Sequence, residues 1–176
     1  MSISSLSFSS LSANYFEIFD LPVSFDIDKD RLVACYRDLQ HVVHPDKYVN
    51  ASEKERRLAM QKAVQINEAF QTLKNPLNRG IYLLQLQDIN TDNQANLDGE
   101  FLMAQMELRE ELADIKDFEA LNAFLNSIET QIQNLIKQLS QEFKTQNWQA
   151  ATSSISKFQF FTKLHEEALK LEEKLL

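Results

Sequence analysis

The chain has 176 residues, 44% of them apolar, with only two glycines and three prolines. That is enough apolar surface for a genuine core and too little Gly and Pro for an architecture of hairpins, so a disordered chain is excluded and an all-α fold is expected. The net charge of −8 argues against nucleic acid and anionic membrane as partners, because phosphate surfaces repel such a chain.

Residues 1–13, beginning "MSISSLSFSSLS", are Ser-rich with no basic n-region and no continuous apolar h-region, which predicts a flexible extension and not a secretory signal. "NYFEIFDLP" reads as a short helical turn ahead of Pro22. Asp28 is then placed to cap a helix in which Leu32, Tyr36, Leu39 and Val43 form one apolar stripe. One cysteine, Cys35, allows neither an internal disulfide nor a thiolate metal cage, and a reducing cytoplasmic setting follows. No apolar run exceeds five residues, far short of a membrane span.

The stripe stops at "HVVHPDKYV". Pro45 has no amide hydrogen and pushes His44 out of the α region, so a helix must end there whatever its purpose. The same ring stiffens the backbone between a potential donor, His44, and an acceptor, Asp46. Both side chains can then be offered at a fixed angle with little ordering cost on binding.

"SEKE" at 52–55 has the form of a capping box and opens a second helix with the stripe Ala59, Ala63, Ile66, Phe70 and Leu73. The two helices are expected to pack antiparallel. "NP" at 75–76 offers a proline at the first position of a third, shorter helix. The turn formers of "QDINTDNQAN" place a linker over 89–97 and a domain boundary near residue 90. The acidity lies largely outside the first domain, since residues 14–88 carry 10 basic and 11 acidic side chains and the remainder carries 8 and 15.

Over 98–176 a three-helix bundle is expected, with helices near 98–115, 117–146 and 148–174 capped by Asp98, Asp117 and Asn147. In the first of them Phe101, Leu108, Leu112 and Ile115 fall within about 60° of one another at ~100° per residue, a core-facing stripe. Leu102, Met103, Met106 and Glu110 cluster on nearly the opposite side, with Glu107 at the edge. A helix apolar on two faces is either sandwiched or carries a binding patch, and flexible thioethers suit a surface that must fit a partner.

Other chemistry finds little support. His41, His44 and Asp46 could approach a metal, but no cysteine or further histidine completes a ligand set. Neither a nucleophile elbow nor an acid–base pair stands out. His165 reads as a solvated helix histidine, Trp148 as a boundary anchor, and the Glu-Glu pairs as solvated faces.

The ordered set "NYFEIFDLP", "RLVACYRDLQHVV", "HPDK", "AVQINEAFQTLKNP" and Arg79 resembles the J domain of DnaK co-chaperones. "FLMAQMELREEL" and "KFQFFTKLHEEALKLEEKLL" resemble the C-terminal domain of the HscB family, the J-type co-chaperones of iron–sulfur cluster assembly. The resemblance spans residues 14–176. It implies an adaptor that is not itself an enzyme and needs no cofactor: the J domain (14–88) stimulates the ATPase of an HscA-type DnaK-family chaperone, and the C-terminal bundle delivers the IscU scaffold. His44, Pro45 and Asp46 match the family's loop residue for residue, and Lys47, Arg31 and Arg37 are its basic candidates on a thinly basic helix. The client face would comprise Leu102, Met103, Met106, Glu107 and Glu110, with Phe160 of the last helix. The zinc-binding cysteine pairs of some eukaryotic relatives are absent, which suits a bacterial-type member. The rival from another class is a helical assembly protein with no chaperone role.

Overall fold

The computed structural model describes residues 13–91 and 98–175. Residues 1–12 of the expected N-terminal extension and residues 92–97 of the expected linker lie outside them. Every described element is helical, and the chain divides into two compact units between Asn75 and Pro76.

The first unit contains α1 (Tyr15–Ile18), α2 (Lys29–Val43), a 3-10 turn (Pro45–Tyr48) and α3 (Glu53–Lys74). Each α-helix starts where a side chain can take an orphan amide. Asn14 accepts from the Glu17 amide, Asp28 from Arg31, and Ser52 from Glu55, the last within a complete capping box. The stripes meet as their spacing predicts: Leu32, Leu39 and Val43 of α2 and Ala59, Ile66, Ala69, Phe70 and Leu73 of α3 are buried. Tyr36 stacks on Phe70 with ring centroids 3.9 Å apart, and its hydroxyl donates to Asn67 Oδ1 at 3.0 Å. Asn67 Oδ1 also accepts from the Gln40 amide, so α2 and α3 are tied by polar as well as apolar contacts. Phe16, Phe19, Leu21 and Phe25 close the core from the α1 side, the first two and Phe25 almost without exposure.

The second unit contains α4 (Pro76–Gln85), α5 (Gly99–Asp114), α6 (Phe118–Lys144) and α7 (Trp148–Leu175). The sequence reading put α4 with the first domain. In the structure it packs on α7, with Gly80, Leu83 and Leu84 buried, and so belongs to the second unit. α6 and α7 form a long antiparallel hairpin, capped by Asp117 and Asn147 as expected. The turn between them is a Schellman closure. Gln146 sits at φ 54°, the Asn147 amide reaches Glu142 O at 2.9 Å, and the Gln146 amide reaches Phe143 O at 3.2 Å.

The inner faces of the hairpin are apolar, with Leu121, Ile128, Leu139, Ile155 and Leu164 fully buried. One polar cluster interrupts them. The buried Glu142 accepts from Gln138 at 2.8 Å and from Ser154 Oγ at 3.0 Å through the same oxygen, while its Oε2 has no hydrogen-bond partner among the described residues. His165, expected to be solvated, is half-buried, with Nε2 3.3 Å from Glu129 Oε1 of α6. Trp148 is half-buried and meets Phe143 edge-on at 6.2 Å, bracing the hairpin turn.

Candidate functional site

Two surfaces, one on each unit, present side chains that the cores do not use. The first is the end of α2. His44 is its C-cap, with an extended ψ of 132° imposed by the proline that follows, and Pro45 opens the 3-10 turn. His44, Pro45, Asp46 and Lys47 are all exposed. His44 Nδ1 accepts the Asp46 amide at 3.4 Å and lies 3.5 Å from Asp46 Oδ2. Both contacts use the same Nδ1 and are alternatives, since accepting the amide needs that nitrogen unprotonated and pairing with the carboxylate needs it protonated, and both are at the long limit of a hydrogen bond. The turn is anchored from below, because the half-buried Tyr48 sends its hydroxyl to Val42 O at 3.3 Å. The tip is therefore held in place by the backbone and Tyr48, and its polar side chains are exposed.

The basic residues of α2 do not share one face. At ~100° per residue Arg37 and His44 lie on one face, about 20° apart, and Arg31 lies about 120° from Arg37. Arg31 is engaged by Asp20 from the turn before the helix. Arg37 and Lys47 are exposed and make no ion pair among the described residues. Of the three basic candidates, then, Arg37 and Lys47 share the tip's surroundings and Arg31 does not. Tyr48, which the sequence reading passed over, anchors the tip; its aromatic ring four residues after His44 was the available signal.

The second surface is the outer face of α5. Leu112 is buried and Phe101, Leu108 and Ile115 are half-buried, so the core-facing stripe is where spacing put it. Leu102, Met103 and Met106 are 48%, 66% and 65% exposed, and Glu107 and Glu110 are exposed beside them. Three large apolar side chains within five residues of one helix form a patch that water would not select for its own sake.

Phe160 does not join this patch. It is only 7% exposed, packed edge-on against Phe101 at 5.6 Å and Phe161 at 5.4 Å, with the Arg109 guanidinium over its ring at 5.7 Å. The residue expected as a client contact thus lies beneath α5, covered in this structure by that helix. The reason is geometric: the half-buried ring of Phe101 lies directly against it.

The described residues contain no group of three or more His, Cys, Asp or Glu side chains placed to hold a metal ion, and no helix among them is long and apolar enough to cross a membrane.

Comparison with known proteins places both surfaces in context. Residues 97–169 match the family model described as the HSCB C-terminal oligomerisation domain. The chain is 43% identical over 169 residues to the co-chaperone protein HscB homolog of Vibrio atlanticus, covering 93% of this chain and 99% of that one. Among solved structures it is similar to the chaperone HscB from Vibrio cholerae, with a TM-score of 0.84 at 43% identity over 93% of this chain and all of that one. It is also similar to the human co-chaperone protein HscB, with a TM-score of 0.88 at 28% identity, covering 95% and 85% of the two chains.

Proposed function

The chain belongs to the HscB family of co-chaperones, and from that membership we propose that it serves iron–sulfur cluster assembly by bringing an IscU-type scaffold to an HscA-type ATPase. In this reading the His44, Pro45, Asp46 tip, with Lys47 and Arg37, docks on the chaperone and stimulates hydrolysis. The α5 face of Leu102, Met103, Met106, Glu107 and Glu110 holds the scaffold. The protein itself performs no bond chemistry.

The observation that carries the proposal is the tip. Three side chains with no role in the core are presented on a proline-stiffened turn that Tyr48 fixes to α2. Pre-ordering of this kind lowers the entropy lost on docking. The α5 face adds its own argument, because each Leu or Met it buries in a partner contributes about 1.5 to 3 kcal/mol.

The test is single-turnover ATP hydrolysis by an HscA-type chaperone, with and without this protein. His44→Gln and Asp46→Asn should keep native helicity and melting temperature and lose stimulation. Either variant stimulating normally would remove the docking assignment.

The matched family model is described in terms of oligomerisation, which favours one second reading: the α5 face meets another copy of the chain. Sedimentation separates the two, since self-association shifts with concentration of this protein alone.

A further inference from the structure

Near the C-terminal ends of α5 and α7 lies an open groove lined by both helices. Leu112 and Ala113 line it from α5 and Leu171 from α7, an apolar floor, and three cations, Arg109, Lys170 and Lys174, stand along its walls. The carboxylate in the groove, Glu167, is already engaged by Arg109, with Nη1 3.4 Å from Oε2. Lys170 and Lys174 are exposed and make no ion pair among the described residues. Three cations over an apolar floor run against the character of this part of the chain, where acidic residues outnumber basic ones nearly two to one.

The groove is not isolated. At ~100° per residue Leu102, Met106, Arg109 and Ala113 fall within about 60° of one another on α5. The wall of the groove therefore lies on the same side of α5 as the exposed apolar face, with Arg109 between Met106 and Ala113. Lys170 and Lys174, one turn apart, line up on the facing side of α7. The surface is uneven in charge: α5 carries Leu102 and Met106 with the exposed Glu107 and Glu110 at its outer edge, and α7 presents Lys170 and Lys174 across the groove.

Resting on the reading that the α5 face holds the scaffold, we propose that the client surface extends into this groove and takes an acidic, amphipathic segment of the scaffold. That segment sets its apolar side chains on Leu102 and Met106 and its carboxylates between Lys170 and Lys174. The apolar side chains supply most of the affinity and the lysines set the direction in which the segment lies.

The experiment is calorimetric titration of the full chain with an IscU-type scaffold at low and high salt. Lys170→Glu/Lys174→Glu should melt as the native protein does, weaken binding at low salt by about tenfold and flatten the salt dependence of Kd. Lys170→Arg/Lys174→Arg should bind as the native protein does. If charge reversal lowers the melting temperature, Lys170→Gln/Lys174→Gln provides the same comparison with a loss of about threefold. Leu102→Ala/Met106→Ala, titrated in parallel, tests the parent reading: native affinity in that variant overturns the α5 assignment and the groove with it. Weakened binding there, together with native affinity in the lysine variants, overturns the groove alone. A lysine variant that sediments differently while binding scaffold normally assigns the groove to a second copy and overturns the proposal.

Discussion

Phe101 and Phe160 meet edge to face, with centroids 5.6 Å apart and planes at 86°. The ion pair between the same helices, Arg109 to Glu167, lies about two turns further along both, so α5 and α7 run parallel. The aromatic pair fixes one end of that alignment and the ion pair the other. α5 can consequently turn Leu102 and Met106 outward only while Phe101 remains seated.

This predicts a separation of two phenotypes. Phe160→Ala removes a buried ring and should cost about 3 to 5 kcal/mol of stability, with any loss of scaffold binding following from the fold. Leu102→Ala/Met106→Ala should change stability by no more than roughly 0.5 kcal/mol while weakening binding, because both side chains are exposed. Thermal melts beside titrations distinguish them; a native melt for Phe160→Ala would return that residue to the binding face.

The capping box of α3 predicts a pH signature. Glu55 has its carboxyl held below the usual range, first by the Ser52 side-chain hydrogen bond and then by the Ser52 backbone hydrogen bond. A lowered folded pKa means that this contribution is present above the unfolded pKa and lost as pH falls through the folded value. Ser52→Ala should therefore lower the melting temperature at neutral pH, and the gap to the native protein should narrow in acid. A gap that stays constant down to pH 3 would contradict the assignment.

Gln146 occupies the left-handed region without being glycine, a conformation that strains an L side chain. Gln146→Gly should raise stability by roughly 0.5 to 1 kcal/mol, after the added unfolded-state entropy is allowed for. Urea denaturation reads this directly. A destabilised variant would show that the exposed Gln146 side chain contributes more than its backbone strain removes.

The Glu142–Ser154 contact across the hairpin, 3.0 Å and buried, should be energetically coupled. In a cycle of Glu142→Ala, Ser154→Ala and the double variant, non-additivity of about 1 kcal/mol is expected, since Glu142→Ala removes the partner of the buried Ser154 hydroxyl and Ser154→Ala leaves the buried Glu142 Oε1 with Gln138 alone. Additive losses would mean that the two groups act independently.

Much of the protein is local and therefore legible in its sequence. Asp28, Ser52, Asp98, Asp117 and Asn147 mark helix starts because a short polar side chain satisfies an amide two or three residues ahead. The buried stripes of α2 and α3 follow from helical periodicity, and the tip follows from what Pro45 forbids. The exposed side of α5 was legible for the same reason, as spacing alone separates Leu102 and Met106 from Phe101 and Leu112. Tertiary structure decided matters that depend on residues far apart in the chain. It seated Phe160 beneath Phe101, gave α4 to the second unit through its packing on α7, brought His165 against Glu129, and set α5 parallel to α7 so that Arg109 faces Glu167. Periodicity states which side of a helix is apolar. Which neighbour covers that side depends on the shape of the assembled core, where one helix can accept several partners and only the full set of contacts selects among them.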